Sequence, residues 1–94
     1  LDSKDVRMAI LAYLVVQKEE GGRRVTAHEI SKKAPEFINK TQRPTRIMAQ
    51  LLALHQMKFA EKEECAMGIL WTITDAGYEF FKKNSEFINM FFYS

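Results

Sequence analysis

An α+β domain, mainly helical with one small β-hairpin toward its C-terminal end, is the fold class that this sequence predicts, and three observations predict it. Apolar residues recur at helical spacing in four separate segments. One stretch, Ile69 to Thr74, alternates instead and is rich in β-branched and aromatic residues, the signature of a strand. Glycines, prolines and capping residues stand where one pattern gives way to the next. With 94 residues, residues 1–94 make one domain with a single core.

The first helix is expected from Ser3 to about Glu20. Ser3 caps it, Asp5 sits in its first turn, and Val6, Ala9, Ile10, Tyr13, Leu14 and Val16 make the apolar stripe. Gly21 and Gly22 end it, since glycine accepts the left-handed conformation at a helix C-terminus. Arg23 to Val25 is a short extended piece. Thr26 and Glu29 then form a capping box, the threonine accepting from the glutamate's amide and the glutamate reaching back. The short second helix buries Ile30 and Ala34 and stops at Pro35. Residues 36–40 turn, with Phe37 and Ile38 inward.

The third helix is expected from about Thr41, its cap, to Gln56, with Pro44 tolerated in its first turn. Ile47, Met48, Leu51, Leu52 and His55 form the predicted inner face. Met57 to Glu63 and Ile69 to Thr74 pair as a hairpin whose tip is residues 64–68. Thr74 and Asp75 open a last helix, which either runs to Tyr93 or breaks at Asn84 with Ser85 capping a second piece. The core is thus about residues 3–74, followed by a C-terminal helix over about 75–94.

Two helices joined by a tight turn and followed by a hairpin make a helix-turn-helix with a wing. The segment ILWTITDAGYEFFKK resembles the wing strand and following helix of winged-helix regulators of the PadR and MarR groups, in which the strand ends in a T-x-x-G element; Thr74 and Gly77 hold those places. The segment from Arg24 to Glu64 resembles their three-helix core. The resemblance spans about residues 5–83. It implies double-stranded DNA as the partner, transcriptional regulation as the role, and the third helix as the reading element.

Charge distribution agrees with that expectation better than net charge does. The formal net charge is only +2, yet from Phe37 to Ala60 there is no acidic residue in a chain that has 12 of them. Phosphate binding draws on cations clear of carboxylates, because counterion release drives it. Gln42, Arg43, Thr45, Arg46 and Gln50 occupy the outer side of the third helix and are the expected base contacts: arginine can read guanine, glutamine adenine, and threonine a thymine methyl. Arg23, Arg24, Lys32, Lys33, Lys40 and Lys58 are the expected phosphate contacts. The hairpin argues the other way. Glu61, Glu63 and Glu64 stand there against Lys62 alone, and like charge beside phosphate costs affinity. Such a wing either points away from DNA or meets a protein, and the alternative reading of the whole chain is a protein-interaction module in a larger viral or plasmid assembly.

The C-terminal segment carries more aromatic surface than one helix face can hide in a small monomer. Phe80, Phe81, Phe87, Ile88, Phe91 and Phe92 are therefore the expected homodimer interface, which would also space two reading helices on a duplex. Neither an enzyme nor a cofactor is called for. His28, His55 and Cys65 lack zinc-ligand spacing, Gly21-Gly22 is not a phosphate loop, and no nucleophile is placed beside a base. Cys65 reads as an inert thiol, and with no second cysteine no intrachain disulfide forms. No apolar run approaches the about 18 residues of a membrane span, and Lys4, Asp5 and Arg7 interrupt any signal-peptide pattern. The expected location is the cytoplasm.

Overall fold

The computed structural model describes residues 3–33 and 42–84. Within them the order is α1 (Ser3–Glu19), α2 (Ala27–Lys33), α3 (Pro44–Gln56), β1 (Ala60–Cys65), β2 (Gly68–Ile73) and α4 (Asp75–Lys83). Ala34, Pro35, Phe37, Ile38, Lys40 and Thr41, together with the segment from Ser85 onward, lie outside the described residues.

The helix α1 is the axis of the fold. Val6 and every residue from Met8 to Val15 are buried, so this helix is enclosed on more sides than the single predicted stripe requires. It packs against α3, α4 and β2. Gly21 and Gly22, with φ of 121° and 75°, then turn the chain in the left-handed region. Val25 follows as a one-residue strand. It exchanges two backbone hydrogen bonds with Trp71, of 3.0 and 2.7 Å, and so ties the start of the helix pair to the hairpin.

Half of the predicted capping box forms at α2. Thr26 Oγ1 accepts from the Glu29 amide at 3.1 Å, but the Glu29 carboxylate turns to Tyr13 and Arg23 instead of back to Thr26. At α3 the inward residues are Ile47, Leu51 and Leu54, each no more than 1% exposed. Leu52 is not on this face, as expected from spacing, but is 42% exposed. His55 is also exposed, although its ring meets the buried Trp71 edge-on. Leu54, which the pattern passed over, takes the inner place.

The α3 helix ends in a Schellman arrangement. Phe59 N–H donates to Leu54 C=O and Lys58 N–H to His55 C=O. The left-handed residue is Lys58, with φ of 67°, where glycine is the usual choice. The hairpin then pairs Ala60 with Ile73 through Cys65 with Gly68. Its tip is just Ala66 and Met67, shorter than the predicted five residues, and Gly68 at φ 123° accommodates the turn. Trp71 and Ile73 point into the core, while all of β1 after Ala60 is exposed.

The T-x-x-G element has a physical explanation. Thr74 Oγ1 accepts from the Gly77 amide at 3.0 Å and donates to Lys58 C=O at 2.7 Å. A Cβ on residue 77 would fall 2.2 Å from Phe59 O. Thus α4 can begin against the α3–β1 turn only if residue 77 has no side chain. Further along, Lys18 and Lys82 flank the Tyr78 ring at 5.2 and 5.1 Å. The Tyr78 hydroxyl donates to Glu19 at 3.0 Å. These contacts fasten α4 to the end of α1.

Candidate nucleic-acid interface

The α2–α3 pair and the hairpin position the candidate site. Successive residues turn by about 100° around a helix axis. Ile47, Leu51 and Leu54 define the buried direction, so Thr45, Ala49, Leu52 and Gln56 form the opposite ridge, and all four are exposed. Arg43 precedes the ridge at the N-cap, exposed and without a capping side-chain bond. Arg46 flanks it, half-buried. No carboxylate stands anywhere on this helix.

The five expected base contacts do not share one open face. Arg43 and Thr45 are exposed and Arg46 borders the ridge, but Gln42 is only 8% exposed and accepts a 3.1 Å hydrogen bond from Arg46 Nη1. Gln50 is half-buried and accepts from Arg7 Nη1 of α1 at 3.0 Å. Both glutamines hold structure in this conformation: one orients Arg46, the other ties α3 to α1. The ridge residues Ala49 and Leu52 were not among the expected contacts, because Leu52 fitted the predicted apolar stripe and alanine carries no polar signal.

The expected phosphate contacts also divide. Lys32 and Lys33 are exposed in the last turn of α2, and Lys58 is exposed at the end of α3. Arg24 is ion-paired with Glu63 of the wing. Arg23 is ion-paired with Glu29 and donates from Nε to Gln17 at 3.0 Å. Lys40 lies outside the described residues.

Arg23 belongs to a network that spacing did not reveal. Tyr13, 4% exposed, donates its hydroxyl to Glu29 Oε2, and Arg23 grips both Glu29 oxygens. Burial, then the hydrogen bond and charge of Glu29, push the Tyr13 phenol up to about 12. Burial raises the Glu29 carboxyl, but the hydrogen bonds from Arg23 and Tyr13 outweigh it and hold the group below its ordinary value. The cluster joins α1, the Arg23 turn and α2, and so holds α2 against α1.

The wing keeps its predicted charge. Glu61, Glu63 and Glu64 are exposed on β1, with Met67, 92% exposed, at the tip. Of the expected dimer residues, Phe80 and Phe81 are half-buried and pack against the core of the domain itself. Phe80 stacks on Phe59 with centroids 4.6 Å apart. Beside it a largely apolar groove is lined by Met8, Leu11, Leu54, Met57, Phe59 and Phe80, together with Lys4 and Arg7. Phe87, Ile88, Phe91 and Phe92 lie outside the described residues. No described helix is long and apolar enough to cross a membrane.

No protein-family model matches the chain, and no curated protein matches it in sequence. Solved structures do match in shape. AF1382 from Archaeoglobus fulgidus superposes with a TM-score of 0.75 at 15% identity, over 93% of this chain and 88% of that one. A transcriptional regulator from Clostridium thermocellum, Cth-833, gives 0.71 at 19% identity, over 90% and 81%. A winged-helix DNA-binding protein from STIV gives 0.69 at 18% identity, over 87% and 85%. With its helix pair, its two-stranded wing and these neighbours, the chain has the winged helix-turn-helix fold of known transcriptional regulators.

Proposed function

We propose that this chain binds double-stranded DNA sequence-specifically as a homodimeric transcriptional regulator, with α3 in the major groove, and that it is a binding protein without enzymatic activity. The observation that carries the reading is the outer side of α3: an exposed ridge bordered by Arg43 and Arg46 on a helix free of carboxylates. Arg43, Thr45 and Arg46 are the base-reading residues, set at the N-terminal end of the helix, where recognition helices approach base edges. Lys32, Lys33 and Lys58 hold phosphates and set the register. The solved neighbours described as a transcriptional regulator and as a DNA-binding protein support the same reading at the level of fold.

The homodimer rests on the aromatic C-terminal segment, in which Phe87, Ile88, Phe91 and Phe92 follow Phe80 and Phe81, and on the apolar groove beside Phe80. Pairing two copies places two α3 helices on one duplex. The acidic wing stays off the phosphates: Glu63 holds Arg24, and the remaining carboxylates are left to repel the backbone.

The test is duplex affinity against salt. Binding should weaken linearly in log–log form with a slope near −0.9 per phosphate contact, and sedimentation should show a dimer. A salt-independent affinity overturns the reading. The wing supports one other reading, a protein-interaction module, which predicts no duplex affinity at physiological salt and loss of a protein partner when Glu61, Glu63 and Glu64 are neutralised.

A further inference from the structure

The ridge of α3 is aliphatic from Thr45 to Leu52, before the polar Gln56. Thr45, Ala49 and Leu52 recur at steps of four and three residues, which aligns them along one line of the helix surface. Each is exposed, and Leu52 at 42% is one of the few large hydrophobic side chains that the described fold leaves outside its core. Thr45, Ala49 and Leu52 thus present three aliphatic groups in a row to whatever lies against the outer side of α3. Arg43 precedes this line, Lys58 lies beyond it and Arg46 flanks it, and no carboxylate lies from residue 42 to residue 60. A purely apolar protein partner would leave those cations without a counter-charge. A surface that is anionic at its two edges and carries methyl groups between them satisfies both, and the major groove of A·T-containing DNA is such a surface, since thymine presents its C5 methyl there.

We infer that Thr45, Ala49 and Leu52 form a thymine-methyl reader, so that the preferred duplex carries a run of thymines under the middle of α3. The inference rests on the DNA-binding reading and adds a specificity to it. The chemistry is contact of a threonine methyl, an alanine methyl and a leucine isobutyl group with base methyls. It asks nothing of Gln42 or Gln50, whose hydrogen bonds stay within the protein.

Replacing thymine by uracil removes only the methyl group and leaves every phosphate and every base-pairing group in place. The full chain would be used to select its tightest duplex from a random library. That duplex would then be remade with deoxyuridine at each thymine. Affinity should fall about fourfold for each methyl that the helix covers, the value of one buried methylene-sized group. The slope against salt should stay the same. Leu52→Ala and Ala49→Gly should each shrink the thymine-to-uracil ratio, and circular dichroism should show both variants folded, since neither side chain is in the core. Equal affinity for the two duplexes overturns the methyl reader and leaves DNA binding standing. Failure to enrich any duplex, with no salt-dependent binding, overturns both.

Discussion

Arg23 and Arg24 stand beside Glu29 and Glu63, whereas Arg43 and Lys58 extend from the two ends of a helix that carries no carboxylate and make no ion pair among the described residues. All four are exposed cations within the same small domain, and a count of charges treats them alike. Their surroundings separate them. An arginine held by an internal carboxylate must give up that contact before it can bind a phosphate, while one held clear of acids has nothing to lose. The first pair is therefore held within the fold, while on the proposed reading the second meets the ligand. Substitutions can break this distinction by showing scaffold residues to be dispensable, or sharpen it by separating stability from binding.

The largest separation is expected at Glu29. Glu29→Ala leaves the buried Tyr13 hydroxyl without its acceptor and the exposed Arg23 guanidinium without its ion-pair partner, at a cost of about 2 kcal/mol, mostly from the unsatisfied hydroxyl. Urea denaturation measures it. Glu63→Ala removes the partner of Arg24 on the exposed wing and should cost under about 1 kcal/mol, as solvent-exposed pairs do. Equal losses in the two variants would put the Arg24–Glu63 pair on the same structural footing as the Glu29 network.

The same network sets limits on pH. The folded Tyr13 phenol sits near 12 instead of its usual 10.0. Its contribution is complete below pH 10 and is lost as pH rises through about 12. Glu29 is shifted the other way: its contribution is present above its ordinary value of 4.5 and fades as pH falls through the lowered one. Unfolding midpoints followed across pH should show both limbs. Tyr13→Phe should flatten the alkaline limb, and Glu29→Gln the acidic one.

Binding should respond to the other pair. Arg43→Ala is expected to weaken specific duplex binding by about 1–3 kcal/mol, with stability unchanged within about 0.5 kcal/mol. Arg43→Lys should keep the salt slope yet lose discrimination between sequences, because the ammonium cannot make a bidentate contact. Fluorescence anisotropy against matched and mismatched duplexes distinguishes the two outcomes.

How much of this was legible in the sequence depends on the range of the interaction. Element order, the Gly21-Gly22 stop, the Thr74 cap and the Val25 extended piece were all readable, because each follows from residues close in the chain. What went unread came from distant partners. Gly77 matched a pattern, but its reason, the carbonyl of Phe59, belongs to a turn 18 positions earlier. Glu29 satisfied the capping-box rule so well that its true partners, Tyr13 and Arg23, had no signal to compete with it. Leu52 and Leu54 exchanged roles because spacing sets the period of the apolar face but not its phase. That phase is fixed here by α1 and α2 packing on one side and β1 on another. At the candidate site the acid-free window was visible at once. The withdrawal of Gln42 and Gln50 into hydrogen bonds with Arg46 and Arg7 was not, since it depends on how α3 rolls against α1.

Lys58 joins the two halves of the comparison in one residue. It occupies the left-handed C′ position of the Schellman motif with φ of 67°, a conformation that costs a side-chain-bearing residue roughly 1 kcal/mol relative to glycine. Lys58→Gly should therefore raise stability by about 1 kcal/mol, with the backbone bonds from Lys58 and Phe59 to His55 and Leu54 preserved. If the ammonium holds a phosphate, the same variant should lower the salt slope of duplex binding by about one and weaken all sequences alike. A gain in stability together with a shallower slope is the signature of a strained backbone position occupied by lysine for the sake of its charge. A gain with the slope intact would move Lys58 out of the interface and leave Arg43 and Arg46 as the cations that face the duplex from α3.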